Sequence, residues 1–230
     1  MKRGKWLVLG MSSLIILAAC APKHVTKYQA FPKVYAERPL AILVLPPVNE
    51  TTAADAKEYY LTTIAEPLSL SGYYVFPIEV VSEIMKNEGI DDTETLVNLP
   101  AGKFKEFFGA DAVMYIWLQR WSTSYYVIGG NVKVSVRSVI RSTTTEEELW
   151  QYEGTIVEDT TVSASGGGII GLAVSLVATA IKTAVTDYVP IAKRANYMML
   201  NPLPYGKYHP NHDKDKEQEA VIEKVIKTKK

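Results

Sequence analysis

The chain has 230 residues, with 25 Lys/Arg against 25 Asp/Glu, three histidines, one cysteine and a hydrophobic share of 47%. An even charge balance excludes a typical nucleic-acid binder, which shows a basic excess, and a lone cysteine excludes a disulfide-stapled fold. What remains is a chain with enough apolar matter for the core of one domain with extensions.

The first stretch sets the compartment. Lys2, Arg3 and Lys5 precede an uncharged, mostly apolar run from Trp6 to Ala19, which closes on Leu17-Ala18-Ala19 ahead of Cys20. A positive start, an apolar middle and small side chains before a thiol have the form of a secretory signal with a lipoprotein cleavage site. A membrane span needs about 20 apolar residues, more than this run supplies. The expectation is a signal peptide over 1–19 and lipid (palmitate among the acyl chains) on Cys20. Ala21 stands where an inner-membrane retention signal shows Asp, which directs the chain to the outer membrane, on its periplasmic face or at the surface. Loss of residues 1–19 removes three basic and no acidic side chains, leaving 22 against 25 and a net charge of −3.

Residues 20–39 hold three prolines and no hydrophobic period, and they read as a tether from the lipid to the domain. The domain is expected over 40–208. Leu40 to Leu45 is a continuous apolar run closed by Pro46-Pro47, the pattern of a strand buried on both faces. Ala53 to Leu70 has helical spacing that Pro67 kinks or ends near Ala65. Tyr73 to Phe76 is a short strand, Ile78 to about Asn87 a helix, and Asp91 to Glu94 a cap before another helical piece. A helix through Phe108 leads into a buried strand, Ala112 to Leu118. From Trp121 to Val127, Val132 to Arg141 and Leu149 to Val157 the chain alternates apolar and polar, as half-exposed antiparallel strands do. Gly129-Gly130-Asn131 supplies a hairpin turn. Strands with helical crossovers followed by a meander predict an α/β fold, a mixed sheet with helices packed on it.

Thr160 to Ile181 carries no charge over 22 residues. Its apolar part begins only at Ile169, too short for a span, so it reads as a small-residue helix that approaches the sheet or a second copy closely. Gly166, Gly167, Gly168, Gly171, Ala173 and Ser175 are the candidate interface. The glycines also match G-x-G-x-x-G, but the preceding strand is late and alternating, and Asp187 falls short of the spacing for a ribose ligand. Beyond Tyr188, four prolines among tyrosines suggest an extended arm to His212. Residues 209–230 read as a charged, solvated, partly helical tail.

The chemistry of catalysis is missing. His24, His209 and His212 all fall in the expected tether or tail, and without a positioned histidine a hydrolytic triad lacks its base. His209-Pro210-Asn211-His212 supplies two ligands on a mobile arm, which do not make a closed metal site. The chain reads as a non-enzyme with no metal and no cofactor.

The lipobox, Leu43-Val44-Leu45-Pro46-Pro47-Val48-Asn49-Glu50-Thr51, Gly72-Tyr73-Tyr74-Val75, Phe108-Gly109-Ala110-Asp111-Ala112 and Gly166-Gly167-Gly168 together resemble an outer-membrane lipoprotein family of unknown function, best known from a meningococcal lipoprotein antigen. The resemblance runs to about Tyr208. It implies an α/β fold similar to the TolB N-terminal domain and the periplasmic part of CsgG-like lipoproteins, often dimeric. It also implies genomic company with a CsgG-like lipoprotein and a small second lipoprotein, and it carries over no catalytic residue. Two functions follow as expectations: a non-catalytic accessory subunit of an envelope secretion or transport assembly with a CsgG-like partner, or a lipoprotein regulator of a periplasmic cell-wall synthase. A tether of 19 or 20 residues spans at most about 65 Å, which leans toward the first. A cofactor-binding enzyme stands third.

Overall fold

A computed structural model of the chain describes residues 25–90, 93–126, 129–159, 188–220 and 225–228. Their framework is a mixed sheet of seven strands in the order β3-β1-β4-β5-β6-β7, with β2 (Val48–Asn49) paired to β4 off that path. Strand β1 (Ala41–Val44) lies parallel to β3 (Tyr74–Val75) and to β4 (Ala112–Tyr126). The meander β4, β5 (Gly129–Ser142) and β6 (Glu148–Asp159) is antiparallel, and β7 (Val225–Thr228) joins β6 in parallel. The expected α/β architecture is thus the one observed.

Alternation along β1 explains its unbroken apolar sequence. Ile42 and Val44 enter one core, whereas Leu43 and Leu45 enter the other, and all four are essentially unexposed. Burial of each such side chain stabilises by about 1.5–3 kcal/mol. The first core lies under α2 (Pro32–Glu37), α3 (Ala56–Leu70) and α7 (Val189–Leu200); the second lies under α4 (Ile78–Asn87), α5 (Thr93–Val97) and α6 (Ala101–Phe108). Helix α3 runs through Pro67 to Leu70 rather than stopping near Ala65. Pro67 lacks a backbone donor, but it and Leu68 are buried, which offsets the missing bond.

The sequence motifs have structural duties here. Asp111 of the Gly-Ala-Asp segment accepts from the Leu40 and Ala41 N–H groups, each at 3.0 Å, and so fixes the start of β1. Asn49 accepts from the Thr51 N–H and hydroxyl and donates to the Ala53 carbonyl, which shapes the loop into α3. Glu146, held at φ 62° in the β5–β6 turn, accepts from the Ala101 and Gly102 N–H groups and caps α6.

Strand β4 continues for 15 residues, past the point where the sequence pattern changes. The register slips between Leu118 and Arg120, so Gln119 is an extra residue, a bulge. The inward side chains then move from Met114, Ile116 and Leu118 to Trp121. Gly129, Gly130 and Asn131, expected as a turn, instead pair with Tyr126, Tyr125 and Ser124 in the ladder.

Three expectations at the chain ends are corrected. The tether does not extend to residue 39: α1 (Lys27–Ala30) and α2 are folded, with Lys27, Phe31, Val34 and Tyr35 buried. Helices of four and six residues are too short to show a period. The arm after Tyr188 is instead α7, with Pro190 in its first turn, where no donor is missed, and Ala192, Ala195 and Met199 wholly buried. The solvated tail is a strap, with Asp215 and Ala220 buried and β7 where a helix is expected.

Candidate interaction face and anchor junction

Leu17, Ala18, Ala19 and Cys20, and the small-residue interface Gly166, Gly167, Gly168, Gly171, Ala173 and Ser175, lie outside the described residues, as does the G-x-G-x-x-G match. What the structure adds is the place where the chain leaves toward Cys20, and an open face of the sheet.

The exit is a clasp between the two ends of the chain. The Ala220 N–H donates to the Val25 carbonyl (2.8 Å), Lys27 to Gln218 (2.8 Å) and Tyr28 to Lys216 (3.1 Å). Inside the clasp the Lys27 ammonium donates to the Leu203 carbonyl at 3.0 Å, stands 3.6 Å from Asp215 Oδ2 and lies 4.4 Å from the centre of the Tyr205 ring. Asp215 also accepts from the Tyr205 N–H at 2.8 Å. Burial lowers the Lys27 pKa, and Asp215 opposes that shift; burial and Asp215 together push the Tyr35 hydroxyl up. Outside this core, Asp213 pairs with Arg38 (3.1 Å) and Lys216 (3.3 Å). Burial works to raise the Asp213 carboxyl, but the Lys216 hydrogen bond and the charges of Arg38 and His212 outweigh it and hold the pKa low. The strap then crosses the α3–β3 turn, where Gly206 donates to Ser71 and Tyr208 to Gly72.

Both strap histidines are engaged locally. The His209 ring stacks on Tyr205 at 3.7 Å between centroids and accepts from the Asn211 N–H. His212 Nδ1 faces the Tyr205 carbonyl at 2.8 Å, which makes it the donor, and Nε2 lies 3.4 Å from Asp213. Among the described residues no three His, Cys, Asp or Glu side chains group as metal ligands would.

Among the described residues, the open face is the stretch of β4–β6, on the α4–α6 side of the sheet, that those helices leave uncovered. Arg120 and Arg137 are exposed there, and Lys133 and Arg141 half-exposed. Arg137 faces Glu153 across the ladder, yet its guanidinium turns the other way and lies 4.0 Å from the centre of the Trp117 ring. Trp117 stacks on Tyr115 at 6.3 Å, and Arg141 lies over Tyr115 at 5.5 Å. The result is a row of two stacked rings with a cation over each. Beside it the Gln119 bulge, Ser135, Glu153 and Thr155 line a shallow hollow. Such stacking contributes about 0.5–1 kcal/mol at an exposed site and leaves the guanidinium edge available to a carboxylate. Burial pushes the Tyr115 hydroxyl up to about 12, with Arg141 pulling it back only in part, so it does not exchange its proton near neutrality.

The period-2 pattern of β5 forecast a half-exposed strand, but neither the Arg137–Trp117 stack nor the Lys27–Asp215 pair left a local signal, because each joins residues distant in the chain.

Fold and clasp define a compact mixed α/β domain secured next to its N-terminal exit, and comparison with known proteins places it. Residues 27–207 match the family model described as "Putative lipoprotein GNA1162-like", and the chain belongs to that lipoprotein family. The "Putative lipoprotein NMB1124/NMB1162" of Neisseria meningitidis serogroup B is 32% identical over 203 residues, 88% of this chain and 93% of that one. The crystal structure of lipoprotein GNA1162 from Neisseria meningitidis is similar with a TM-score of 0.50 and 31% identity, covering 64% of this chain and 99% of that chain. A PelC dodecamer from Paraburkholderia phytofirmans matches at a TM-score of 0.41 and 14% identity, over 74% and 91% of the two chains. Among the described residues no helix is long and apolar enough to cross a membrane.

Proposed function

We propose that this lipoprotein is anchored in the outer membrane through acylated Cys20, cleaved after Leu17-Ala18-Ala19, and serves as a non-catalytic accessory subunit of an envelope secretion or transport assembly. A CsgG-like lipoprotein is the partner class. The observation that carries this reading is the clasp. With Val25 already bonded into the domain, only five Cα steps separate it from Cys20, a reach of at most about 18 Å, not the 65 Å of a tether to residue 39. A domain held that close works on membrane-bound partners and is poorly placed to act on a cell-wall synthase through distant wall.

The open sheet face is the surface offered to such a partner. Arg120, Lys133, Arg137 and Arg141 are set against Glu153 and Glu148 on that face, a surplus that suits a carboxylate-bearing surface. Self-association through Gly166 to Ser175 is a second contact, one that needs small side chains for close approach.

The test is crosslinking in the native envelope followed by affinity recovery and mass spectrometry, for wild type and Arg137→Glu. Recovery of a CsgG-like lipoprotein with wild type and its loss with the charge reversal supports the reading. Recovery of a cell-wall synthase alone overturns it.

A further inference from the structure

The short leash carries a consequence about orientation, which depends on the proposed lipidation of Cys20. We propose that the face formed by Tyr28, Gln29 and Lys216 to Glu219 rests on the phospholipid headgroup surface, with the α4–α6 layer directed away from it.

Three observations lead there. The exit point cannot swing, because Val25, Lys27 and Tyr28 are bonded to Ala220, Gln218 and Lys216 and the Lys27 side chain is 4% exposed within the fold. The leash is short against the body: a domain of about 200 residues is roughly 40 Å across, whereas Cys20 reaches at most about 18 Å from Val25. A body on a leash shorter than its own radius touches the surface only with the hemisphere that carries the exit. The chemistry of that hemisphere also fits. Tyr28 is 49% exposed, its ring 5.5 Å from Tyr35 and 5.9 Å from the Lys216 ammonium. A tyrosine with an ammonium beside it matches headgroup depth, the ring at the boundary and the cation toward phosphate. Gln29, Glu217, Gln218 and Glu219 surround it, all exposed. They contribute no apolar area to insert and disfavour an anionic surface, so the face rests on zwitterionic lipid without entering it.

Because Cys20 is the sole cysteine and lipid consumes its thiol, an introduced cysteine is the one free thiol for labelling. Glu217→Cys and Gln218→Cys mark the proposed contact. Glu83→Cys marks α4, across the sheet and roughly 20 Å or more away by two layer spacings. Each full-length lipoprotein is labelled with a fluorophore and placed in phosphatidylcholine vesicles that carry a nitroxide on the headgroup. Quenching at 217 and 218 should exceed that at 83 several-fold. Inserting twenty Gly/Ser residues between Pro22 and Lys23 should abolish the difference. Equal quenching at all three sites, or stronger quenching at 83, overturns the orientation. Intact mass separates the two layers of inference: an unmodified Cys20 overturns both, whereas an acylated Cys20 with uniform quenching overturns the orientation alone.

Discussion

Lys27 and Asp215 face each other across 3.6 Å with their side chains 4% and 0% exposed, and they join the first folded turn of the domain to the last stretch before β7. A buried pair of this kind is weak evidence for stability in itself, because desolvation consumes much of the attraction; removing one member, however, strands the other. Lys27→Met leaves the Asp215 carboxylate with the Tyr205 N–H as its donor and should destabilise by about 3–5 kcal/mol. The double variant Lys27→Met/Asp215→Leu should recover most of that loss. Urea unfolding of the two single variants and the double one checks this. Singles within about 0.5 kcal/mol of wild type would mean that the clasp is held by its backbone bonds alone.

The outer part of the clasp responds to acid. The Asp213 carboxyl lies below its ordinary value of 3.8 because Lys216, Arg38 and His212 outweigh the cost of its partial burial. A carboxyl depressed by folding contributes stability that is present above its unfolded pKa and lost as pH falls through the folded one. Hydrogen-exchange protection of the Lys27 and Tyr28 amides, which bond to the strap, should therefore drop below about pH 4. Asp213→Asn should show reduced protection at neutral pH and a flatter profile. The effect is modest, since Arg38 and Asp213 are partly solvated, and solvent screens such pairs.

The small-residue stretch gives a prediction on assembly. Under the self-association proposed for this stretch, Gly171→Leu should leave Cys20 acylation unchanged and weaken self-association, because close approach of two helices needs small side chains. Light-scattering mass of the detergent-solubilised protein across a dilution series reads it. An unchanged mass would remove this stretch as an interface.

What was legible in the sequence was what local chemistry dictates. The run Leu40 to Leu45 marked a strand buried on both faces because nothing polar interrupts it, and Ile78 to Asn87 marked its helix through Val81 and Met85, both of which enter the second core. The chain ends carry no such local signal. Their order comes from long-range partners: Lys27 is a surface residue by type and is buried only because Asp215, Leu203 and Tyr205 meet it. The charges of 213–219 read as solvation, although Asp215 is among the most buried residues of the fold. The Gln119 bulge was visible only as a change of pattern after Arg120, since an insertion of one residue resembles the start of a new element. The open face was half legible: alternation placed Arg137 outward, but only the pairing of β4 with β5 sets it over Trp117.

Glycine tests the strap without touching a charge. A Cβ on Gly206 would meet the Gly72 carbonyl carbon at 2.6 Å and Tyr73 Cδ1 at 2.9 Å, and one on Gly72 would meet the His209 nitrogen at 2.5 Å. Most of these neighbours are backbone and cannot rotate aside, so Gly206→Ala must push the strap off the α3–β3 turn, at about 1–3 kcal/mol. Gly89 is the control: its φ of +78° strains an alanine, yet nothing lies within 4 Å of the added carbon, so its cost is backbone strain of about 1 kcal/mol. The two variants should separate in hydrogen exchange. Gly206→Ala should expose the Tyr208 amide, which bonds to Gly72, and with it the Tyr28 amide at the far end of the strap. Gly89→Ala should leave both protected. Exposure of Tyr208 with full protection of Tyr28 would show that the strap is fastened at two independent points, and that the clasp at Val25 to Tyr28 holds without the crossing over Gly72.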